Sequence, residues 1–480
     1  MRNEKAFKAV EAARPMILAA EKHLWSIPET GYREWKTHAY LKAQFEALGI
    51  ALHGFDRIPA SVAVQSAKDG RDRVFKPIPG FWADFDTGRP GPRLAIFGEL
   101  DALPIPTHPE CDKETGAVHA CGHHAQCAAL LGVAAGLSAP GAMDGLSGAI
   151  RLIAVPAEEF VDRDFRRALR RDDVVRYGGG KQELLRRGLL DDVDLAFMVH
   201  TKEGQARIAT TPGSNGFIAT NHVFIGKAAH AGAQPHAGVN ALYAANLALN
   251  AANALRETFR DDLHVRFHPI VSSGGSSSNV IPERVVVDSS VRAAALDAAI
   301  EVNRKINRAF AGAAAAMGCR LEVHDLNGYA PRRNDAAMND LFHEVAADLF
   351  GPGCMRQRTG WSAGCSDMGD VSCVMPATNA FVGGAVGHGH GSDYRIANPE
   401  IACVGSAQMQ VEAALRLLAD DAALARKIVA EGKPSCMTVA EYLRVADSID
   451  FAGEVVSSGD DGRIVVGPFA PAPPQESAAR

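Results

Sequence analysis

The chain has 480 residues, 47% hydrophobic and 22% charged, with a formal net charge of −6. That is the balance of a globular protein too long for one ordinary core, so two domains are expected. So small a charge gives no electrostatic case for a nucleic-acid partner or an anionic membrane, and no run approaches the ~20 uninterrupted apolar residues of a membrane span.

Met1-Arg2-Asn3-Glu4-Lys5 leads into an amphipathic pattern with charges throughout, without the apolar stretch of a signal peptide. Residues 5–25 and 34–47 read as helices, broken at Pro28-Glu29-Thr30-Gly31; 52–92 reads as short strands and turns. Arg93 to Gly98 is a buried-type strand ending at Glu99-Leu100-Asp101-Ala102-Leu103-Pro104. Acids just past a central strand's carboxyl end stand where α/β sheets place their chemistry. His119-Ala120-Cys121-Gly122-His123-His124 follows, opening a helix of small residues over 124–138. A second buried strand, 149–155, ends at Pro156-Ala157-Glu158-Glu159. The Arg/Asp-rich span 160–192 reads as a helical, solvated excursion. Its Gly178-Gly179-Gly180-Lys181 lacks the spacing and following Ser/Thr of a phosphate loop. The strand over 193–199 ends at His200.

From about 213 the pattern becomes strand 217–226, helix 239–260, strands 264–272 and 284–292, helix 295–317, strand 319–326. That βαββαβ order can fold alone as a four-stranded antiparallel sheet with two helices on one face, a ferredoxin-like α+β domain. Helices at 334–350 and 403–419 and a strand near 377–383 resume the first domain. The expected organisation is therefore α/β, with a mixed-sheet catalytic domain over 1–212 and 327–425 and an inserted domain over 213–326. A helix-plus-hairpin extension occupies 426–480, and its tail from Ala470 should be disordered. Nine scattered cysteines, an odd number, suit a reducing, cytoplasmic setting better than a disulfide framework.

Cys121 and His123 lie two apart, so their side chains can leave a turning backbone on one side. Thiolate and imidazole together suit zinc, manganese, cobalt or nickel better than calcium. Alone, the motif is equally that of a buried thiol beside structural histidines. Glu159, His200 and one of His388 or His390, with His390 favoured, also stand at predicted strand ends or Gly-rich turns. In a parallel-type sheet such ends lie side by side. Cys121 is placed to bridge two ions, which need a shared anion and ligands on both flanks. Of the two neighbouring carboxylates, Glu158 is assigned as the base that moves a proton and Glu159 as the ligand.

The motifs Asp101-Ala102-Leu103-Pro104, His119 to His123, Pro156 to Glu159, Val199-His200, Gly226-Lys227-Ala228-Ala229-His230-Ala231-Gly232, Asn279-Val280-Ile281-Pro282 and Arg292 span most of the chain. Together they resemble the aminoacylase/carboxypeptidase family of dinuclear metallohydrolases. The amidohydrolase branch, with plant auxin-conjugate hydrolases and bacterial aminobenzoyl-glutamate hydrolase, is the most similar. The resemblance implies a metallopeptidase-type catalytic domain in which Cys121 bridges and His123, Glu159, His200 and His390 complete a site for one or two divalent ions. It implies that the inserted domain is a lid and dimer contact. His230 would polarise the scissile carbonyl in a neighbouring protomer, and Asn279 and Arg292 would hold a substrate carboxylate or oxyanion. Two departures stand out: His124 replaces the acid or asparagine usual after the metal histidine, and position 99 is Glu.

The expected activity is hydrolysis of the C–N amide bond of a small N-acyl or N-aroyl amino acid by water activated at the metal, in a homodimer or higher homo-oligomer. Two rivals use the same residues: hydrolytic deamination of an activated aromatic amine, and a metal-binding scaffold without turnover. Glu158 weighs against the scaffold, because a pure binding site needs no base.

Overall fold

The computed structural model describes residues 3–55, 61–65, 73–357, 360–458, 463–467 and 469. The tail from 470 and parts of the 52–92 segment lie outside them. The chain divides into two compact units. The first comprises Met1–Gly213, Arg333–Trp361 and Asp370–Val439; the second comprises Ser214–Arg332, Ser362–Gly369 and Ala440–Arg480.

The first unit is built on a mixed sheet. Its strands run in the order His53–Gly54, Phe81–Asp86, Ala149–Val155, Arg93–Glu99, Leu195–Glu203, Ala377–Val386, Ile208–Thr210 and Met355–Gln357. Ala149–Val155, Arg93–Glu99, Leu195–Glu203 and Ala377–Val386 are mutually parallel, so their carboxyl ends share one edge. All seven residues of Ala149–Val155 are buried, as in a strand covered on both faces. Arg151 is the polar member, and it is bonded to Asp84 at 2.7 and 2.8 Å and to Asp192 at 2.7 and 3.1 Å.

The helix His123–Leu137 is buried along its whole length. Its small residues let other helices approach: a methyl on Gly132 would stand 2.6 Å from Ala407 Cβ, and one on Gly136 2.9 Å from Val411 Cγ2. This buried helix carries His123 at its first position, which fixes that ring against the core. The expected helix over 5–25 is two, Glu4–Ala12 and Arg14–Trp25, with Pro15 near the start of the second, where its missing N–H costs no helical bond.

In the second unit a six-stranded antiparallel sheet runs Arg266–Ser273, Arg284–Ala293, Gly216–Ile225, Arg320–Asn327, Phe451–Ser458, Ile464–Val466. Helices Ala241–Ala254 and Leu296–Ala316 supply its core, in which Phe224, Val287, Ile306 and Phe310 are buried. Every second residue of Arg284–Ala293 is buried, so one face of the strand is turned inward. The sheet is wider than the expected four strands because Arg320–Asn327 would otherwise expose an open edge. Phe451–Ser458 pairs with that edge from Leu321 opposite Val456 to Asp325 opposite Phe451, and it buries Val455 and Val456. The segment after 425 is therefore no separate appendage. The helix Ser406–Gly432, whose dihedrals break at Ala419–Ala422, belongs to the first unit, and the terminal strands belong to the second.

Candidate metal centre

The carboxyl edge of the parallel strands gathers the chemistry. Gly122, at φ +90°, turns the chain between Cys121 and His123, and a methyl there would stand 2.4 Å from Tyr394 Oη. Cys121, His123 and His200 each offer a donor atom within 4.8 Å of the others, and so do Cys121, Glu159 and His390. Cys121 is common to both groups. Its Sγ lies 3.4 Å from His200 Nε2, and His390 Nε2 lies 3.2 Å from Glu159 Oε1. His388 is exposed and faces Asp393 instead, at 3.2 Å.

Tautomers follow from the acceptors on the far side of each ring. His123 Nδ1 donates to Asp101 O at 2.8 Å and His200 Nδ1 to Thr201 O at 2.6 Å. Both Nε2 atoms are thereby left as the coordinating nitrogens, the orientation a metal histidine needs. His200 is the sixth residue of a strand that continues to Glu203, not a residue beyond the strand's end. His390 sits in a left-handed turn at φ +63°, and its N–H is tied to Ala120 O at 2.9 Å.

Glu158 and Glu159 are positioned by one side chain. Asp101 accepts from Glu158 N at 3.2 Å through Oδ1 and from Glu159 N at 2.8 Å through Oδ2. Ala157, at φ +63°, makes the preceding turn, and its N–H donates to Glu34 Oε1 at 2.8 Å. Glu158 Oε2 then stands 4.0 Å from His123 Nε2. The sequence marks Asp101 as an acid at a strand end; nothing local marks it as the brace of a turn on a neighbouring strand.

Charge balance matches the geometry. Burial and Glu159 push the Cys121 thiol up, but His123 and His200 pull it further down, to about 6, so it is a thiolate at neutral pH. Burial raises the Glu159 carboxyl, yet His390 and His123 hold it at about 2. The hydrogen bonds of His390 to Cys121 and Glu159 raise its imidazole to about 11. Burial opposes charge on His123, while Cys121 and Glu99 raise it well above the usual range. These groups favour one another's charges, and His123 Nε2 is buried without a hydrogen bond. A divalent ion would take the place of the extra protons on His123 and His390, and a thiolate, a carboxylate and three imidazoles then fit one or two divalent transition metals.

The 160–192 span is not solvated throughout. Arg163–Arg171 is a helix with two buried residues, Arg166 and Leu169, but the helix Gly180–Arg186 buries Gly180 through Leu185. Arg166 is buried and donates to the backbone oxygens of Glu159 and Gly178. Composition misleads here because the glycine run and Leu184-Leu185 outweigh the charges.

The trio expected to meet substrate lies in the second unit. His230 is exposed in a turn, where its Nδ1 accepts from Gly232 N and Ala233 N at 3.2 and 3.1 Å. Asn279 is held beside it, since Ala231 N donates to Asn279 O at 2.9 Å and His230 forms a bridge with Val280. Arg292 is on the strand Arg284–Ala293, and its Nη1 donates to Ala363 O at 3.3 Å.

Comparison with known proteins gives the family of the chain. Residues 95–413 match the model of peptidase family M20/M25/M40. The chain belongs to that family. The match takes in every residue of the candidate cluster, and membership makes the protein a metal-dependent hydrolase. It is 28% identical over 396 residues to the mouse Xaa-Arg dipeptidase, covering 78% of each chain. It is 27% identical over 338 residues to the N-acetyl-L-cysteine deacetylase of Bacillus subtilis, covering 69% of this chain and 72% of that one. Its fold resembles that of a dinuclear metal-binding M20 peptidase, also from Bacillus subtilis, with a TM-score of 0.62 at 22% identity, covering 85% and 99% of the two chains. Among the described residues no helix is long and apolar enough to cross a membrane.

Proposed function

We propose that this M20 hydrolase cleaves the amide C–N bond of a small N-acyl or N-aroyl amino acid. The observation that carries the reading is Cys121 at the junction of two donor groups, His123 with His200 and Glu159 with His390, with a second carboxylate, Glu158, beside them. One or two divalent ions, manganese, zinc, cobalt or nickel, would be held by these five residues. When bound, such ions supply a lowered water pKa and Lewis-acid polarisation of the carbonyl.

The chain's own residues do the rest. Glu158 takes a proton from the attacking water as the C–O bond forms. It returns that proton to the nitrogen as the C–N bond breaks, leaving a carboxylic acid and an amine. Asp101 holds Glu158 and Glu159 in register for these separate tasks. Asn279 and Arg292 would bind the substrate carboxylate, and the second unit would act as a lid. In a homodimer the partner's His230 would steady the developing oxyanion. Exposed apolar side chains on the second unit, Tyr243, Leu247, Ile270 and Val271, support such a contact.

The test is a hydrolysis screen of acyl- and aroyl-amino acids after chelation, with each metal added back. Turnover of at least one amide, absent from the chelated protein and restored by metal, is the expected result. Ammonia released from aryl amines with no amide cleaved would give the deamination reading instead. Tight metal binding with no turnover of either kind would give the scaffold.

A further inference from the structure

Beneath the metal cluster lies a pair of opposite charges that the proposed chemistry does not use. Lys181 and Glu99 have fully buried side chains, and Lys181 Nζ donates to Glu99 Oε1 at 2.6 Å. The other carboxylate oxygen, Oε2, accepts from Gln126 Nε2 at 3.0 Å and stands 3.2 Å from His123 Nε2. Glu99 thus has both oxygens engaged, and one of them faces the nitrogen that Asp101 leaves free for coordination.

Placing a lysine there is costly, and the sequence is adapted to it. Gly180 lies so close to the Pro156 turn that a methyl on it would come 1.8 Å from Pro156 O. A methyl on Gly178 would meet the Phe160 ring at 2.2 Å. The glycine run is what lets the start of the Gly180–Arg186 helix press under Pro156–Glu159 and deliver Lys181 to Glu99. A buried ion pair is weak evidence for stability, since apolar side chains of equal volume often do as well. Its position against a coordinating histidine suggests another use.

We infer that Lys181 is a positioning residue of the metal centre, acting through Glu99 on His123. Its ammonium fixes the Glu99 carboxylate in one orientation. That carboxylate sets a negative wall beside His123 Nε2 which favours a cation on that nitrogen and prevents the ring from turning away. Outer partners that orient metal ligands typically change affinity about 10–100-fold when lost.

The inference rests on the metal centre proposed above, and the experiment separates the two. The full-length protein is stripped of metal, and zinc and manganese affinities are measured by competition with a chromophoric chelator, beside thermal unfolding of the metal-free form. Lys181→Met leaves Glu99 buried without its partner and should lower both the melting temperature and the affinity. The Glu99→Gln/Lys181→Met double variant removes both charges, so its metal-free melting temperature should return close to wild type. Its metal affinity should stay at least about tenfold weaker. A double variant that regains stability and also binds metal as tightly as wild type overturns the inference, because the pair is then merely structural. Wild-type protein that binds neither metal overturns the centre itself.

Discussion

Glu158→Gln separates the base from the ligands. The replacement keeps the side chain's length and the backbone amide bonded to Asp101, so the cluster around Cys121 is undisturbed. What goes is the only proton acceptor assigned to the reaction. General-base catalysis contributes about 10²–10⁴-fold, so kcat should fall by that factor, about 3–5 kcal/mol of barrier at 1.36 kcal/mol per tenfold. KM should change by less than about threefold, because Glu158 is not assigned to bind substrate. The assay follows cleavage of an accepted amide chromatographically in protein reconstituted with a measured metal content. Glu158 also has a donor atom within 4.8 Å of donors on His123 and Glu159, so the variant must distinguish a base from a ligand. Metal affinity decides: it should stay within about threefold of wild type in Glu158→Gln and collapse in Glu159→Gln. A variant with full metal and turnover within tenfold of wild type would refute the role given to Glu158. So would one that lost metal along with activity.

Cys121→Ala removes the donor shared by both groups, so affinity for every bound ion should fall by more than the ~100-fold that loss of an outer partner costs, as chelator competition would show. Asp101→Asn sets an amide N–H₂ against one of two backbone donors, so kcat and metal affinity should drop together, unlike in Glu158→Gln; unchanged values would remove Asp101 from the site's framework. Gly180→Ala forces a methyl into Pro156 O and should cost about 2 kcal/mol or more in denaturant unfolding. His222, buried against Phe310 with Nε2 bonded to Asn307 at 2.8 Å, is held by burial at about 4. The unfolded chain takes up a proton near its ordinary value of 6.5 while the folded one does not, so stability is full above 6.5 and falls on acidification towards 4. At ~1.36 kcal/mol per pH unit the loss is on the order of 3 kcal/mol, and His222→Leu should flatten that dependence in melts across the range.

The donors could be read from the sequence because each is announced by a local signal: a buried run that stops or a glycine, beside a residue able to hold a metal. His123 and His390 each follow a glycine and Cys121 precedes one, Glu159 stands just past the buried run 149–155, and His200 lies three residues short of the end of its strand. Their supports carry no such signal. Asp101 braces a turn on a neighbouring strand, and Lys181 meets Glu99 82 positions away, contacts set by the crossing of chain segments. The second unit's strand order follows from alternation within 216–327, whereas the partner of Phe451–Ser458 is fixed by which edge the fold leaves open. Where charge density stood in for burial, over 160–192, the inference failed, because a lysine can be buried if glycines bring it to a carboxylate.

The two acids after Pro156 show why the site needs so much behind it. Consecutive residues normally send their side chains apart, yet here one carboxylate approaches His390 while its neighbour lies 4.0 Å from His123. Both backbone amides end on the same Asp101 carboxylate, and the Asp101 carbonyl also fixes the His123 ring. A shift of that residue would move ligand, base and imidazole in concert. Geometry among the three is thus held by one side chain and its own backbone, so the distance from base to cluster survives small motions of either strand, and a proton transfer sensitive to fractions of an ångström can be sustained.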